Sequence, residues 1–263
     1  MTNRMKYEKI FVYKETIDDL GRKLNIIFRG LHFYLELIAT MGKNPDLIVM
    51  LTHNDRTVAN AAEIFEKCRH SKAKYWGFKE EPLPIGEMKA LFSRMKECGK
   101  TTVLEVVAYS KEEGLAGARV AAACGCDILM GTVFCDEVND FCREHGIKYM
   151  PFVGTITGRP SVLEGAAEDM IAQAKSYIEK GAYGIDLLGY RYTGDAVRLN
   201  EMLVSHIPAP VCIAGSVNSL KRLDELKKAG PWAFTIGGAF FEQKFGTDFS
   251  EQIDRVCDYM EEA

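Results

Sequence analysis

The feature that most constrains this chain is a pattern that recurs eight times. In each repeat, a short apolar run is followed by a polar tip and then by an amphipathic stretch. Because the runs are apolar at nearly every position, we predict strands that are buried on both faces. Strict alternation with helices favours parallel pairing of those strands. The runs occupy residues 47–52, 75–79, 102–107, 127–132, 149–155, 183–190, 210–215 and 232–238.

The stretches between the runs show helical periodicity. In residues 86–99, 168–182 and 219–230, apolar side chains recur every three or four positions and a glycine closes or follows the helix. Eight strand–helix units predict a (β/α)₈ barrel, a fold that needs roughly 250 residues, and this chain has 263. An open, doubly wound sheet uses the same unit and is the alternative, but the number of units favours the barrel.

Residues 1–46 lie outside the repeat. Within them, residues 24–42 form an apolar and aromatic stretch with the pattern of an amphipathic helix. We therefore predict two parts, an N-terminal helical extension (1–46) packed on the barrel and the (β/α)₈ barrel itself (47–263). The extension is also where we expect the contact if the protein forms a homodimer.

Composition excludes several classes of partner. The formal net charge is −4, and no local cluster of lysines and arginines suggests a nucleic-acid surface. No apolar window is long enough for a membrane span, and the start of the chain lacks the apolar core of a secretion signal. We expect a cytoplasmic protein whose eight cysteines are free thiols. Cys124 and Cys126 lack the second ligand pair of a zinc site.

Two glycine turns follow the last two runs. Gly215 and Ser216 come directly after the seventh, with Asn218 or Ser219 as the expected N-cap of the next helix, and a second glycine pair follows the eighth. Glycines let backbone N–H groups approach an anion closely, and a helix start adds unpaired donors and a partial positive charge. The two turns therefore predict a site for one phosphate group, formed by Gly215, Ser216, Gly237 and Gly238.

These closing segments carry a family resemblance. The stretches AGSVNS (214–219) and FTIGGAFFE (234–242) resemble the last strands of the ribulose-phosphate-binding barrels. That superfamily includes histidine- and tryptophan-biosynthesis isomerases, orotidine and ketogulonate phosphate decarboxylases, and pentose-phosphate epimerases. The resemblance implies that the four residues of the two glycine turns bind the ligand's phosphate, although its motifs cover only the last quarter of the chain.

Elsewhere the sequence departs from those relatives. The isomerases' aspartates in the first and fifth strands are missing, and Asp55 lies several residues beyond the first run, too far along to replace one of them. The third run continues as Glu-Val-Val-Ala-Tyr-Ser, which lacks the lysine of the decarboxylases. No cysteine base occupies the first strand, and the sixth strand has no Schiff-base lysine. The reaction type therefore stays open.

Three ionisable residues are embedded in predicted strands and are our catalytic candidates. Glu105 interrupts an apolar strand, where an unpaired carboxylate is costly, and Lys79 ends the neighbouring strand. The two could meet in the barrel mouth as an ammonium that stabilises an enolate and a carboxylate that moves a proton. A structural ion pair is the alternative. Asp186, in the sixth run, is the third candidate, as a second acid or base or as an orienting group.

Further polar residues follow the strands at the end where barrels place their active sites. We predict substrate binding by His53, Thr155 and Arg191; Thr157 and Arg159 lie beyond the fifth run. We predict no organic cofactor and no metal, although the carboxylates of Glu105 and Asp186 could hold Mg²⁺.

The favoured function is an enzyme acting on a sugar phosphate or another phosphorylated small metabolite. It would abstract a proton next to a carbonyl group, as an isomerase, an epimerase or a lyase. The alternative is a barrel that senses a phosphorylated metabolite without transforming it, as glycerol-phosphate-responsive antiterminators do. A purely structural barrel is the third possibility.

Overall fold

The eight apolar runs form a closed ring of parallel strands in the structure, a computed structural model that describes residues 44–262. Each strand pairs with its neighbours in the chain, and β8 pairs with β1 to close the ring. The strands are β1 (Asp46–Met50), β2 (Tyr75–Lys79), β3 (Thr101–Ala108), β4 (Ile128–Val133), β5 (Lys148–Phe152), β6 (Ile185–Leu187), β7 (Val211–Ile213) and β8 (Ala233–Ile236).

A helix follows every strand, and one more follows the eighth unit. The helices are α1 (Ala61–Cys68), α2 (Ile85–Glu97), α3 (Lys111–Cys124), α4 (Asp136–Glu144), α5 (Ala167–Glu179), α6 (Ala196–His206), α7 (Leu220–Ala229), α8 (Gly238–Phe241) and α9 (Phe249–Glu261). Ser219 is the N-cap of α7, as one of the two predicted alternatives, and its side chain accepts a hydrogen bond from the Arg222 N–H. The (β/α)₈ prediction is confirmed, and the open sheet is excluded by the pairing of β8 with β1.

The barrel interior is filled by alternate side chains of the strands. These side chains are buried and apolar, and they pack into one cluster: Ile48, Met50, Val103, Ile128, Met130, Met150, Cys212 and Ala233. Glu105 and Asp186 have the same alternation as Val103 and Cys212, so both point toward the barrel axis. Ionisable groups on three strands thus share the interior with a tightly packed apolar core.

Two antiparallel hairpins interrupt the regular pattern, and the sequence did not predict them. One pairs Thr52–His53 with Arg56–Thr57 directly after β1, and the other pairs Thr155–Thr157 with Val162–Glu164 after β5. The predicted first and fifth runs therefore extend beyond the barrel strands into hairpins. Both hairpins lie at the carboxyl ends of their strands.

The predicted N-terminal extension falls almost entirely outside the described residues. The strand β1 begins at Asp46, one residue before the predicted boundary, and residues 1–43 are not described. The packing of the extension and the homodimer contact stay predictions. In residues 44–262, no helix has the length and hydropathy needed to cross a bilayer. All eight cysteines lie in this range, and each is a free thiol.

Candidate active site

A cavity of about 700 Å³ opens at the carboxyl ends of the barrel strands. It is lined by the first hairpin, by the ends of β2 and β3, by the tip of the second hairpin and by the turns after β6, β7 and β8. Among its lining residues are nearly all the predicted site residues: His53, Lys79, Glu105, Arg191, Gly215, Ser216, Gly237 and Gly238. Two predicted residues, Thr155 and Asp186, do not line it.

The first hairpin returns a carboxylate to the barrel mouth. Its two-residue turn has positive φ at both Asn54 (50°) and Asp55 (63°), as a type I′ turn requires, and both residue types tolerate that conformation. The hairpin is joined to β2 by Thr57, whose Oγ1 accepts from the Lys79 N–H (2.9 Å) and donates to the Lys79 carbonyl (2.7 Å). Asp55 therefore lies in the cavity, close to a side chain of β2.

The sequence analysis judged Asp55 too far along the chain to replace an isomerase aspartate, and in the structure Asp55 nevertheless lines the cavity. Distance along the chain was misleading because the chain reverses within two residues. Turn-forming Asn-Asp between Thr-His and Arg-Thr was the available signal, since a short turn flanked by strand-forming residues indicates a hairpin.

Lys79 is held between two carboxylates. Its Nζ donates to Asp55 Oδ1 at 2.5 Å and lies 3.4 Å from Glu105 Oε1. The Lys79 side chain is only 9% exposed, while both carboxylates are accessible from the cavity. The structure thus brings Lys79 and Glu105 together across the neighbouring strands β2 and β3, and it adds Asp55 as a third member of the cluster.

The charges decide the protonation state of Lys79. Burial lowers the pKa of Lys79, but the neighbouring Glu105 and Asp55 carboxylates outweigh it, so the pKa lies above its ordinary value. Lys79 is therefore an ammonium ion at neutral pH. It can stabilise a developing negative charge, whereas it is a poor nucleophile for a Schiff base.

Glu80, the residue after Lys79, is a candidate that the sequence argument left aside. Its Oε1 accepts from the Val107 N–H at 3.3 Å, and the carboxyl group lines the cavity. Burial, assisted by the charge of Glu105, raises the pKa of Glu80. A carboxyl group with a raised pKa keeps its proton to a higher pH than an ordinary glutamate, which suits a proton donor.

Asp186 lies deeper than the other candidates. It is 1% exposed, and neither of its carboxylate oxygens has a hydrogen-bond partner in the described part of the chain. Burial, reinforced by the negative charge of Glu105, raises the pKa of Asp186 well above its ordinary value, against the smaller opposing effect of Lys79. A neutral carboxylic acid therefore lies in the barrel interior, out of contact with the cavity.

The two predicted glycine turns line the same cavity. Gly215 (φ 81°) and Ser216 (φ 57°) both adopt left-handed conformations, and Arg222 supports the turn by donating to the Ser216 carbonyl. Within residues 44–262, the N–H groups of Gly215, Ser216 and Gly238 have no protein acceptor. Unpaired backbone donors on two adjacent strands are what an anion site needs.

The second glycine pair is under tight steric constraint. A Cβ at Gly237 would lie 2.8 Å from the Thr52 carbonyl oxygen, so only glycine allows β8 to pass beneath the first hairpin. At Gly238, in contrast, a Cβ would meet only ordinary contacts, the nearest being Glu242 and His53 at 3.8 Å. His53 stacks on Phe241 with ring centroids 5.3 Å apart. His53 thus lies beside the second glycine turn.

The second hairpin contributes an arginine that was noted in the sequence without a role. Arg159, at its tip, reaches the cavity and donates from Nη2 to the Val107 carbonyl at 2.7 Å. Arg191 also reaches the cavity, and its side chain packs against Gly215.

Thr155 begins the second hairpin but is exposed outside the cavity. The predicted substrate contact of Thr155 therefore has no support in this geometry.

Metal coordination receives no support from the described residues. In residues 44–262, no group of three or more histidine, cysteine, aspartate or glutamate side chains is arranged to hold a metal ion. Glu105 faces the ammonium of Lys79, and Asp186 lies buried below the cavity.

Comparisons with known proteins address the fold. No protein-family model matches the sequence, and no curated protein matches it significantly. Among solved structures, an N-acetylmannosamine-6-phosphate 2-epimerase from Clostridium perfringens matches with a TM-score of 0.56 at 13% identity, over 78% of this chain and 90% of that one. An orotidine 5′-phosphate decarboxylase from Pyrococcus horikoshii OT3 matches with a TM-score of 0.59 at 12% identity, over 82% and 100%.

A third match comes from a different class of protein. A glycerol uptake operon antiterminator regulatory protein from Listeria monocytogenes matches with a TM-score of 0.50 at 14% identity, over 75% of this chain and 94% of that one. At such identities these likenesses establish the fold alone. They agree with the closed barrel of parallel strands described above.

Proposed function

We propose that this chain is an enzyme that binds a phosphorylated small metabolite and moves a proton next to its carbonyl group. One observation carries the proposal: unpaired amides of two glycine turns and an ammonium–carboxylate pair line a single cavity. The phosphate would bind at Gly215, Ser216, Gly237 and Gly238, with Arg191 and His53 beside it. The ligand would be a sugar phosphate or a related metabolite of the cytoplasm.

In the proposed reaction, each ionisable group of the cavity has a role that follows from its protonation state. Glu105 takes a proton from the carbon next to the carbonyl, and Lys79 stabilises the negative charge that develops on the carbonyl oxygen. Glu80, with its raised pKa, can return a proton to the neighbouring carbon or to oxygen. Return of a proton to the same carbon from the opposite face gives epimerisation. Protonation of the enolate oxygen, loss of the adjacent hydroxyl proton and protonation of the former carbonyl carbon give isomerisation. In carbon–carbon cleavage, the base instead takes the proton of the β-hydroxyl group, and the enolate that Lys79 stabilises forms as the bond breaks. The scheme assigns no step to Asp186, which is buried beneath the cluster without a hydrogen-bond partner among the described residues.

Phosphate binding can be tested at Gly238, where the chain tolerates a side chain. Gly238→Asp places a carboxylate among the amides without a steric clash, and Gly238→Asn is a neutral control of the same size. We expect ribulose 5-phosphate, dihydroxyacetone phosphate or inorganic phosphate to raise the melting temperature of the wild type. The shift should persist in Gly238→Asn and disappear in Gly238→Asp. No shift with any phosphate compound would refute the site.

Proton abstraction can be tested without knowing the product. In D₂O, an enzyme of this type exchanges the proton next to the carbonyl of a bound keto phosphate, which ¹H NMR detects. We expect exchange with the wild type, and a loss of about 100-fold or more in Glu105→Gln, because a general base typically contributes 10²–10⁴-fold. Binding in Glu105→Gln should remain. Unchanged exchange in this variant would contradict the role of Glu105.

The sensing function is the second candidate, and one observation favours it. Lys79 is paired with both Asp55 and Glu105, as in a structural ion pair. A sensor would be stabilised by its phosphorylated ligand, lose that response in Gly238→Asp, and show no proton exchange at all. The two experiments together therefore distinguish the candidates.

A further inference from the structure

The cationic side chains Lys79, Arg159 and Arg191 of the cavity differ in whether a carboxylate pairs with them. Lys79 is paired with carboxylates, as described above. Arg159 and Arg191 have no carboxylate within 4.0 Å in the described part of the chain. Each donates a single hydrogen bond, to a backbone carbonyl: Arg159 to Val107 at 2.7 Å, and Arg191 to Ser161 at 3.4 Å. Their remaining N–H groups are available to a ligand.

The two arginines serve different ends of the cavity. Arg191 packs against Gly215, next to the proposed phosphate site after β7. Arg159 is anchored at the end of β3 through Val107. In the closed ring, three strands separate β3 from β7 in either direction, so the two strands face each other across the barrel mouth. A group bound by Arg159 therefore lies across the mouth from the phosphate, on the side of Glu105.

The hairpin that carries Arg159 is held in place from both sides. The Tyr109 hydroxyl donates to the Gly158 carbonyl at 2.8 Å and lies 2.8 Å from Ser161 Oγ. On the other side, Leu163 forms a parallel bridge with Tyr192. A guanidinium fixed in this way loses little conformational entropy when it binds a planar or tetrahedral anion.

We propose that the substrate carries a second anionic group, a carboxylate or a second phosphate, which Arg159 binds at the end opposite the first phosphate. The inference rests on the proposed function and narrows it to doubly anionic metabolites. The Arg159 side chain is exposed to the cavity mouth and has no carboxylate within 4.0 Å in residues 44–262, so an anionic group at that end gains a charge-assisted partner that a neutral hydroxyl does not. Arg159 is thus a specificity-determining residue.

Matched pairs of ligands test this directly by calorimetric titration. 6-Phosphogluconate and glucitol 6-phosphate differ only in a carboxylate at the far end. Fructose 1,6-bisphosphate and fructose 6-phosphate differ in a second phosphate. We expect the doubly anionic member of at least one pair to bind about tenfold more tightly, as a charge-assisted hydrogen bond implies. The pair that shows the preference identifies the second group.

Variants assign the preference to Arg159. Arg159→Gln should abolish it while leaving the affinity for glucitol 6-phosphate and fructose 6-phosphate unchanged, and Arg159→Lys should restore part of it. Arg119→Gln, an exposed arginine on α3 outside the cavity, is the charge-matched control and should behave as the wild type.

The outcomes separate this inference from the proposed function. If all four probes bind equally, or if Arg159→Gln retains the preference, the second anionic site is wrong and the phosphate site stands. If no probe binds, the proposed function fails and this inference fails with it.

Discussion

At the scale of single residues, Asp186 is the least expected group in the barrel. A carboxyl group that is fully buried without a hydrogen bond is costly when charged, so the folded protein keeps it protonated. The unfolded chain releases that proton at an ordinary pKa. Stability from this group is therefore fully present below that ordinary value and is lost as the pH rises toward the raised pKa of the folded state.

Asp186→Asn should remove this pH dependence. We expect the free energy of unfolding of the wild type to fall between about pH 4 and the raised folded-state pKa, by at most about 1.4 kcal/mol per pH unit for one proton. In the asparagine variant that part of the slope should vanish, whatever the change in absolute stability. Urea unfolding at a series of pH values measures it.

The control for Asp186 is an exposed carboxylate. Asp169→Asn, on the surface of α5, should leave the slope as in the wild type. A slope in Asp186→Asn equal to that of the wild type would mean that Asp186 is not the protonated group.

At the scale of elements, the first hairpin connects the barrel strands to the chemistry. Thr57 makes two hydrogen bonds to the backbone of Lys79, and through them the hairpin positions Asp55 beside the ammonium. Asp55, in the two-residue turn of the hairpin, thus becomes part of a site otherwise formed by Lys79 on β2 and Glu105 on β3. The contribution of the hairpin depends on the two Thr57 hydrogen bonds, which are lost when a methyl group replaces the Thr57 hydroxyl.

Thr57→Val should therefore destabilise both fold and site. The change keeps the shape of the side chain but leaves a buried N–H and a carbonyl of Lys79 without partners, which costs roughly 1–3 kcal/mol. Proton exchange should fall as well, because Asp55 is no longer held. Chemical denaturation and the NMR exchange assay measure the two effects.

Thr157→Val is the matched control in the other hairpin. Thr157 is exposed, and its side chain makes no hydrogen bond within the described residues. This variant should resemble the wild type. Equal behaviour of the two threonine variants would show that the Thr57 bonds carry no special weight.

Elements also show what the sequence can and cannot predict. The run 75–79 coincides with β2, and the other runs overlap their strands, because burial on both faces leaves a continuous apolar signal. The hairpins have strands of two and three residues, too short for any periodicity. The position of Asp55 in the cavity and the exposure of Thr155 outside it could not be read from so short a pattern. The sequence showed Glu105 and Asp186 as carboxylates embedded in strands, but this pattern cannot distinguish the cavity lining from the layer beneath it.

At the scale of the whole molecule, closure of the ring is what creates an interior. Cys212 lies on β7 in the interior cluster and is fully buried inside the ring that the pairing of β8 with β1 closes. Burial is the largest cause that raises the pKa of Cys212 well above its ordinary value. Its thiol is therefore both shielded and protonated, and its reactivity reports on closure.

Thiol titration measures whether the ring of strands is closed. Five of the eight cysteines are buried and three, Cys98, Cys135 and Cys257, are half-buried. Because the thiolate is the reactive form and burial excludes the reagent, we expect at most three groups to react with a disulfide reagent in the native protein and all eight in urea. Replacing the three half-buried cysteines by serine should abolish the native reaction, whereas Cys212→Ser should leave the native count unchanged and lower the denatured count by one. Rapid native labelling of Cys212 would show that the ring opens, and the cavity at its mouth could not then be a preformed site.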